Sequence, residues 1–151
     1  MSNADLYKGF SAEKQARYEV ELIERFGEPM RAGIERSRQS FSRMSDADKE
    51  ALGREYGEVE AALAGALRHG VDAGSVAVGA LIGRHRAWVS AMWGRPCSAD
   101  RYAGLADLYL AHPDFAARYE AIETGFAEYL AAAMKLHAKE SIRATPEGPP
   151  P

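Results

Sequence analysis

The stretch from Arg84 to Tyr109, RHRAWVSAMWGRPCSADRYAGLADLY, constrains this chain more than any other. Val78, Leu81, Ile82, His85, Trp88, Val89 and Met92 recur at steps of three and four, which puts them on one face of a helix. Gly94-Arg95-Pro96 ends that helix, because proline lacks the amide donor and its ring clashes with the preceding turn. Ser98 then serves as an N-cap, and Asp100 falls in the first turn of a second helix, where a carboxylate meets the positive end of the dipole. In that helix Tyr102, Leu105 and Tyr109 form a stripe, with Leu108 beside it. Folded back on each other, the two helices bring Trp88, Trp93, Tyr102 and Tyr109 to one aromatic-rich cleft.

Cys97 is the only cysteine, and it stands just ahead of a helix N-terminus. Free amide groups and the dipole there favour a thiolate, and Arg95 and Arg101 are near in sequence. The position has two readings. One is a nucleophile or covalent capture point at the mouth of the cleft. The other is an inert, half-buried small hydrophobe in a turn. A single cysteine excludes an internal disulfide and suits a reducing compartment.

Alanine occurs 28 times, against 13 for Val, Ile and Thr together, so an all-α fold is expected. A chain of 151 residues suits one domain with a sizeable core. Its net charge of −3 does not suggest a nucleic-acid surface. No apolar run approaches the roughly 20 residues that cross a bilayer. The polar Ser2–Asp5 start is not a signal peptide, and a cytoplasmic location is expected. Ser2-Asn3-Ala4 resembles an expression-tag remnant, so residues 1–4 are set apart and the rest is expected to be one domain cut from a longer protein.

In chain order, an apolar arm, Leu6 to Phe10, precedes a Ser11 cap and a helix from Ala12 to Phe26. Gly27 stops it, and Pro29 suits the first turn of the next segment. From Met30 to Met44 the apolar content thins to Met30, Ile34, Phe41 and Met44. That segment is either a short solvated helix or one that orders on binding. Ser45-Asp46-Ala47-Asp48 forms a capping box, with Asp in place of the usual Glu, for a long helix carrying Leu52, Tyr56, Val59, Leu63 and Leu67. His69-Gly70 ends it, and Ser75 caps the next. His112-Pro113-Asp114 breaks the chain after Tyr109. Phe115, Tyr119 and Ile122 mark a short helix, Gly125 a bend, and Phe126 to His137 a final helix. Residues 139–151 read as a polar, disordered tail.

Several runs together resemble the TipAS domain, the antibiotic-recognition part of one branch of the MerR family of transcription activators. They are LYKGF with SAEKQARYEVELIERFG, then RHRAWVSAMW, then PCSADRYAGLADLYLAHPDFAARYEAIETGFAEYLAAAM. The resemblance implies a domain over residues 5–138, with globin-like helices around a ligand cleft. Within it, residues 5–44 would be a mobile lid and 45–138 a helical core. It implies that Cys97 matches the cysteine that captures thiopeptides by adding to a dehydroalanine, and that Tyr7 and Phe10 close over the ligand. Phe41 stands where many relatives have tryptophan, which points to a different ligand. The ligand contacts expected on this basis are Cys97, Trp93, Trp88, His85, Tyr102, Tyr109, Phe115, Tyr119, Phe41 and Phe10. Trp93 and Tyr102, flanking the Cys97 turn, are the ones expected to be exposed. A small-molecule effector is the expected partner, with no cofactor. DNA would be met only through an N-terminal part absent here. The isolated domain would be a monomer and the full regulator a dimer.

Other function classes fit less well. A cysteine enzyme would need His85 as base and a third group to orient it, and the sequence offers no such group. His69, His85, His112 and His137 lack the paired spacing of metal or haem ligands. A protein-interaction domain without a small ligand remains the alternative to an effector sensor.

Overall fold

The structure, a computed structural model, describes residue 24 and residues 27–144. Among the described residues it holds six helices and no strand: α1 Glu28–Ser42, α2 Asp46–Arg68, α3 Val76–Trp93, α4 Ala99–Ala111, α5 Pro113–Ile122 and α6 Phe126–Ala144. The all-α expectation is met. Tyr7, Phe10 and the helix expected at Ala12–Phe26 lie outside the described residues apart from Glu24, as do the last seven residues of the chain.

Most helix starts are set by local chemistry. Ser45 and Asp48 cap α2 reciprocally: the Asp48 amide donates to Ser45 Oγ at 3.1 Å, and the Ser45 amide donates to Asp48 Oδ2 at 3.4 Å. Ser75 Oγ accepts from the Val78 amide at 3.2 Å, and Ser98 Oγ from the Arg101 amide at 3.2 Å. The end of α2 is equally legible. Gly70 takes φ 71°, its amide bonds to Leu67 O, and the Val71 amide reaches back to Ala66 O at 2.9 Å.

His112 works in both directions. Pro113 forces the residue before it out of helical geometry, and His112 sits at φ −93°, ψ 119°. Its amide still bonds Leu108 O to close α4, while its Nδ1 accepts from the Asp114 amide at 3.3 Å to open α5. The start of α6 is held from a distance in sequence. Glu120 accepts from the Gly125 amide at 2.9 Å and the Ala127 amide at 3.1 Å, and these bonds hold its carboxyl below the usual range.

The chain divides into two compact units. The first comprises the described residues up to Tyr56 together with Trp88–Pro96. The segment from Met30 to Met44 falls here and is helical as far as Ser42, as α1. Its Ser37 Oγ donates to the Met92 carbonyl at 2.6 Å, satisfying one of the carbonyls left open at the end of α3. Phe41 is buried, with the Lys49 ammonium 4.8 Å above its ring centroid. Trp88 Nε1 donates to Leu52 O at 3.0 Å, and the Trp88 ring lies 4.4 Å from that of Tyr56.

The second unit comprises Gly57–Ala87 and the described residues from Cys97 onward. Helix α4 packs most extensively on α6. Ala99 and Ala106 on α4 are buried, as are Ala127, Ala131, Ala133 and Ala138 on α6. Side chains this small let two helix backbones approach closely. Alanine therefore acts here as a packing surface as well as a helix former. Arg118 of α5 grips Glu60 of α2 with both ends of its guanidinium, at 3.1 and 3.2 Å. Tyr129 Oη donates to Val71 O at 2.7 Å, fixing the loop after α2 to α6. The last helix continues past Lys139 to Ala144, so 139–144 is not tail.

Two glycines separate backbone strain from steric crowding. At Gly70 (φ 71°) an added Cβ meets nothing within 4 Å, so Gly70→Ala should cost roughly 1–2 kcal/mol, the penalty of left-handed backbone alone. At Gly94 (φ 73°) the Cβ would fall 2.7 Å from Ser40 Cβ, so Gly94→Ala should cost at least about 1 kcal/mol more. Urea unfolding of both variants checks the order, and equal costs would contradict the close approach of Ser40.

Candidate functional site

Within the second unit, the polar side chains converge on Tyr102. Helix α3 supplies His85 and Arg86 from adjacent positions, so they leave the helix in different directions. Helix α4 supplies Tyr102, one turn past the Ser98 cap. Helix α6 supplies His137 and Ser141, four apart and therefore on one face. Cys97 precedes the cap and is 3% exposed.

The bonds are short and specific. His85 Nδ1 lies 2.6 Å from the Tyr102 hydroxyl, which also reaches Ile82 O at 3.4 Å. With the proton on Nδ1, the imidazole donates to the hydroxyl and the hydroxyl donates to Ile82 O; with it on Nε2, the hydroxyl donates to Nδ1. The His137 ring meets the Tyr102 ring edge-on at 6.0 Å. The Arg86 guanidinium lies 6.0 Å from the centre of the Tyr102 ring, donates through Nε to Cys97 O at 2.8 Å, and donates through Nη1 to Ser141 Oγ at 3.0 Å.

Burial governs the charges. It drives His85 down to about 4. It also pushes the Tyr102 hydroxyl well above its ordinary value, with Tyr109 and Cys97 adding to the rise and Arg86 opposing it. His137 is lowered, first by burial and then by the Arg86 charge, with Glu140 acting the other way. Tyr102 was expected to be exposed beside the turn; it is fully buried, because its hydroxyl finds its partners inside.

The Cys97 sulfur lies 3.8 Å from Ser98 O, the long end of a weak thiol–carbonyl contact. The Ser98 side chain already occupies the Arg101 amide, so that helix-end donor is not open to a thiolate. His85, the base that a cysteine enzyme would require, has its Nδ1 engaged with Tyr102.

A second aromatic group surrounds Tyr109. Phe115 and Tyr119 lie 5.4 and 5.1 Å from it, and Tyr119 meets Phe126 edge-on at 5.8 Å. Arg118 sits 5.0 Å over the Tyr119 ring. Burial, then Tyr119, raises the Tyr109 hydroxyl well above its usual value.

Of the remaining expected contacts, Phe41, Trp88 and Trp93 belong to the first unit, where Phe41 and Trp88 are buried and Trp93 is half-buried. Phe10 lies outside the described residues. Sequence reasoning missed Arg86 and Ser141. The first stands between two apolar-stripe residues, and the second falls in a run that reads as tail. Among the described residues, no group of three or more His, Cys, Asp or Glu is placed to hold a metal ion, and no helix is long and apolar enough to cross a membrane.

Two measurements probe the node. Tyr102→Phe removes a buried partner of His85 and should cost about 1–3 kcal/mol in urea unfolding. His85 accepts a proton near 6.5 when unfolded but only near 4 when folded, so between those values the unfolded state binds more protons. Its contribution, about 3 kcal/mol, is full above pH 6.5 and lost as pH falls toward 4. Stability should therefore drop between pH 7 and 4.5, and His85→Gln should flatten that slope even if it lowers stability throughout. A slope that the substitution leaves unchanged would assign the pH dependence elsewhere.

Known proteins are similar to this sequence over most of its length. The profile of the TipAS antibiotic-recognition domain matches residues 18–137. HTH-type transcriptional regulator SkgA of Caulobacter vibrioides (strain NA1000 / CB15N) is 38% identical over 139 residues, 92% of this chain and 54% of that protein. The SkgA of strain ATCC 19089 / CIP 103742 / CB 15 matches to the same extent. The chain thus spans about half the length of the curated relatives it matches. No solved structure matches it significantly. With the profile match reaching each of the six described helices and taking in His85, Arg86, Tyr102 and His137, the chain belongs to the TipAS antibiotic-recognition domain family.

Proposed function

We propose that this domain is the effector-sensing part of a MerR-type transcription regulator and not an enzyme. Its ligand is a bulky aromatic or thiopeptide-like small molecule, and Cys97 is the point of capture. The observation that carries the reading is the family match over residues 18–137, which includes Cys97 and its cap Ser98. The regulator name borne by the relatives supports the same role. DNA contact belongs to a separate part of the full protein, which is cytoplasmic and dimeric, while the domain alone is a monomer.

Burial orders the expected contacts. Tyr102, Tyr109, Phe115, Tyr119 and His85 are core residues, so a ligand reaches them only where the fold opens. Trp93 is the more open aromatic and the better direct contact. Affinity comes from apolar burial, at roughly 25 cal/mol per Å², and from aromatic stacking. The signal is a population shift, which requires the ligand to favour one conformation over another.

Capture is a simple addition. The Cys97 sulfur forms a bond to the terminal carbon of a dehydroalanine, the carbon–carbon π bond breaks, and the thiol proton ends on the α-carbon. No oxidant or reductant is consumed. The buried thiol must first emerge, so capture follows binding.

Intact mass and tryptophan fluorescence after mixing with a thiostrepton-type thiopeptide test this reading. The expected result is an adduct of one thiopeptide mass on the wild type and none on Cys97→Ser, with fluorescence changed in both. Fluorescence change without an adduct would remove covalent capture. No change in either signal would overturn the thiopeptide reading and turn the search to other multi-ring ligands.

A further inference from the structure

The Cys97 carbonyl lies outside the hydrogen-bond ladder of α4, whose first bonds run to Ser98: its backbone oxygen accepts from Tyr102 N, and its hydroxyl accepts from Arg101 N. Arg86 Nε reaches the Cys97 carbonyl at 2.8 Å. The same guanidinium reaches Ser141 Oγ, in the last turns of α6, at 3.0 Å. One planar, rigid group therefore joins three elements: α3, the turn just after it that carries the thiol, and the end of the last helix, 55 positions on from Arg86. Both Arg86 and Ser141 are half-buried, where a hydrogen bond is better protected from competing water than at the surface.

We propose that Arg86 is the positioning residue of the Cys97 turn, and that Ser141 fixes Arg86 so that the end of α6 sets how readily the thiol is exposed. The buried thiol becomes reachable when the carbonyl leaves Arg86 and the turn swings out. Any hold on the guanidinium from Ser141 raises the cost of that motion. By linkage, whatever draws the Cys97 turn outward loosens the α6 terminus to the same degree. An event at Cys97 is thus felt at residues 139–144, where the described chain ends. The fork geometry explains why arginine is required: lysine carries the charge but cannot hold a carbonyl and a hydroxyl with two donors in one plane.

This deepens the reading of Cys97 as a capture point but is tested without any antibiotic. The rate of Cys97 alkylation by iodoacetamide is measured on the folded domain for wild type, Ser141→Ala, Ser141→Thr, Arg86→Lys and Arg86→Gln, with urea midpoints alongside. Ser141→Ala should react about three- to tenfold faster, part of the strength of one charge-assisted hydrogen bond, because Ser141 acts on the turn only through Arg86. Ser141→Thr, which keeps the hydroxyl, should return toward wild type. Arg86→Lys and Arg86→Gln should react faster still, and in both, amide exchange at residues 136–144 should quicken. If Arg86→Gln does not fold, the Ser141 pair decides alone. A Ser141→Ala rate within twofold of wild type overturns the proposal. So does a rise that Ser141→Thr fails to reverse, or one that merely tracks a lower urea midpoint. Failure here leaves thiopeptide capture standing, and failure of capture leaves the gating result intact.

Discussion

A phenol hydroxyl and an imidazole buried among apolar side chains must find each other or cost the fold several kcal/mol. The second unit is organised by that requirement. Tyr102 is fully buried, its hydroxyl 2.6 Å from His85 and within reach of Ile82 O. The bond fixes the rotation of α4 against α3. Burial keeps both groups neutral, so the polar node adds direction to the core without adding charge. Arg86 brings charge to its margin, where backbone and hydroxyl oxygens receive it.

Around that node the packing is made by small residues. The alanines buried along α4 and α6 leave little side-chain bulk to define register. Directional contacts supply it instead: Lys135 pairs with Asp107 across α6 and α4, Arg118 with Glu60, Arg68 with Glu123 at 3.0 Å, and Tyr129 with Val71 O. The Arg68 and Lys135 pairs are largely exposed and contribute little energy each. The Arg118–Glu60 pair is mostly buried, so losing one partner would strand a charge. Function on such a scaffold is a matter of which few polar bonds are free to change.

Local chemistry made much of this legible. The caps at Ser45, Ser75 and Ser98, the stop at Gly70 and the break at Pro113 depend on residues within a few positions of each other. The α3 stripe from Val78 to Met92 could be counted directly. Partners far apart in sequence could not be. Arg86 and Ser141 are separated by 55 positions, and neither carries a pattern that names the other. On α4 the spacing favoured Leu105 for the stripe, yet Leu105 is half-buried while Ala106 is fully buried, because close packing of helices selects the smallest side chain. The same limit hid the burial of Tyr102 and Cys97. Periodicity assigns a face, but only the approach of a second helix decides whether that face is open. Family membership was legible because it rests on runs of sequence such as RHRAWVSAMW and PCSADRYAGLADLY, not on contacts.

The second unit stands or falls with His85 as a neutral, buried imidazole bound to Tyr102. Nitrogen chemical shifts of the histidine rings, tracked by NMR from pH 7.5 to 4, address that directly. His85 should stay neutral through pH 5 with its proton held on one nitrogen, and Tyr102→Phe should change its tautomer balance. A His85 that titrates near 6.5 as an ordinary solvated imidazole, indifferent to Tyr102→Phe, would contradict this picture of the core.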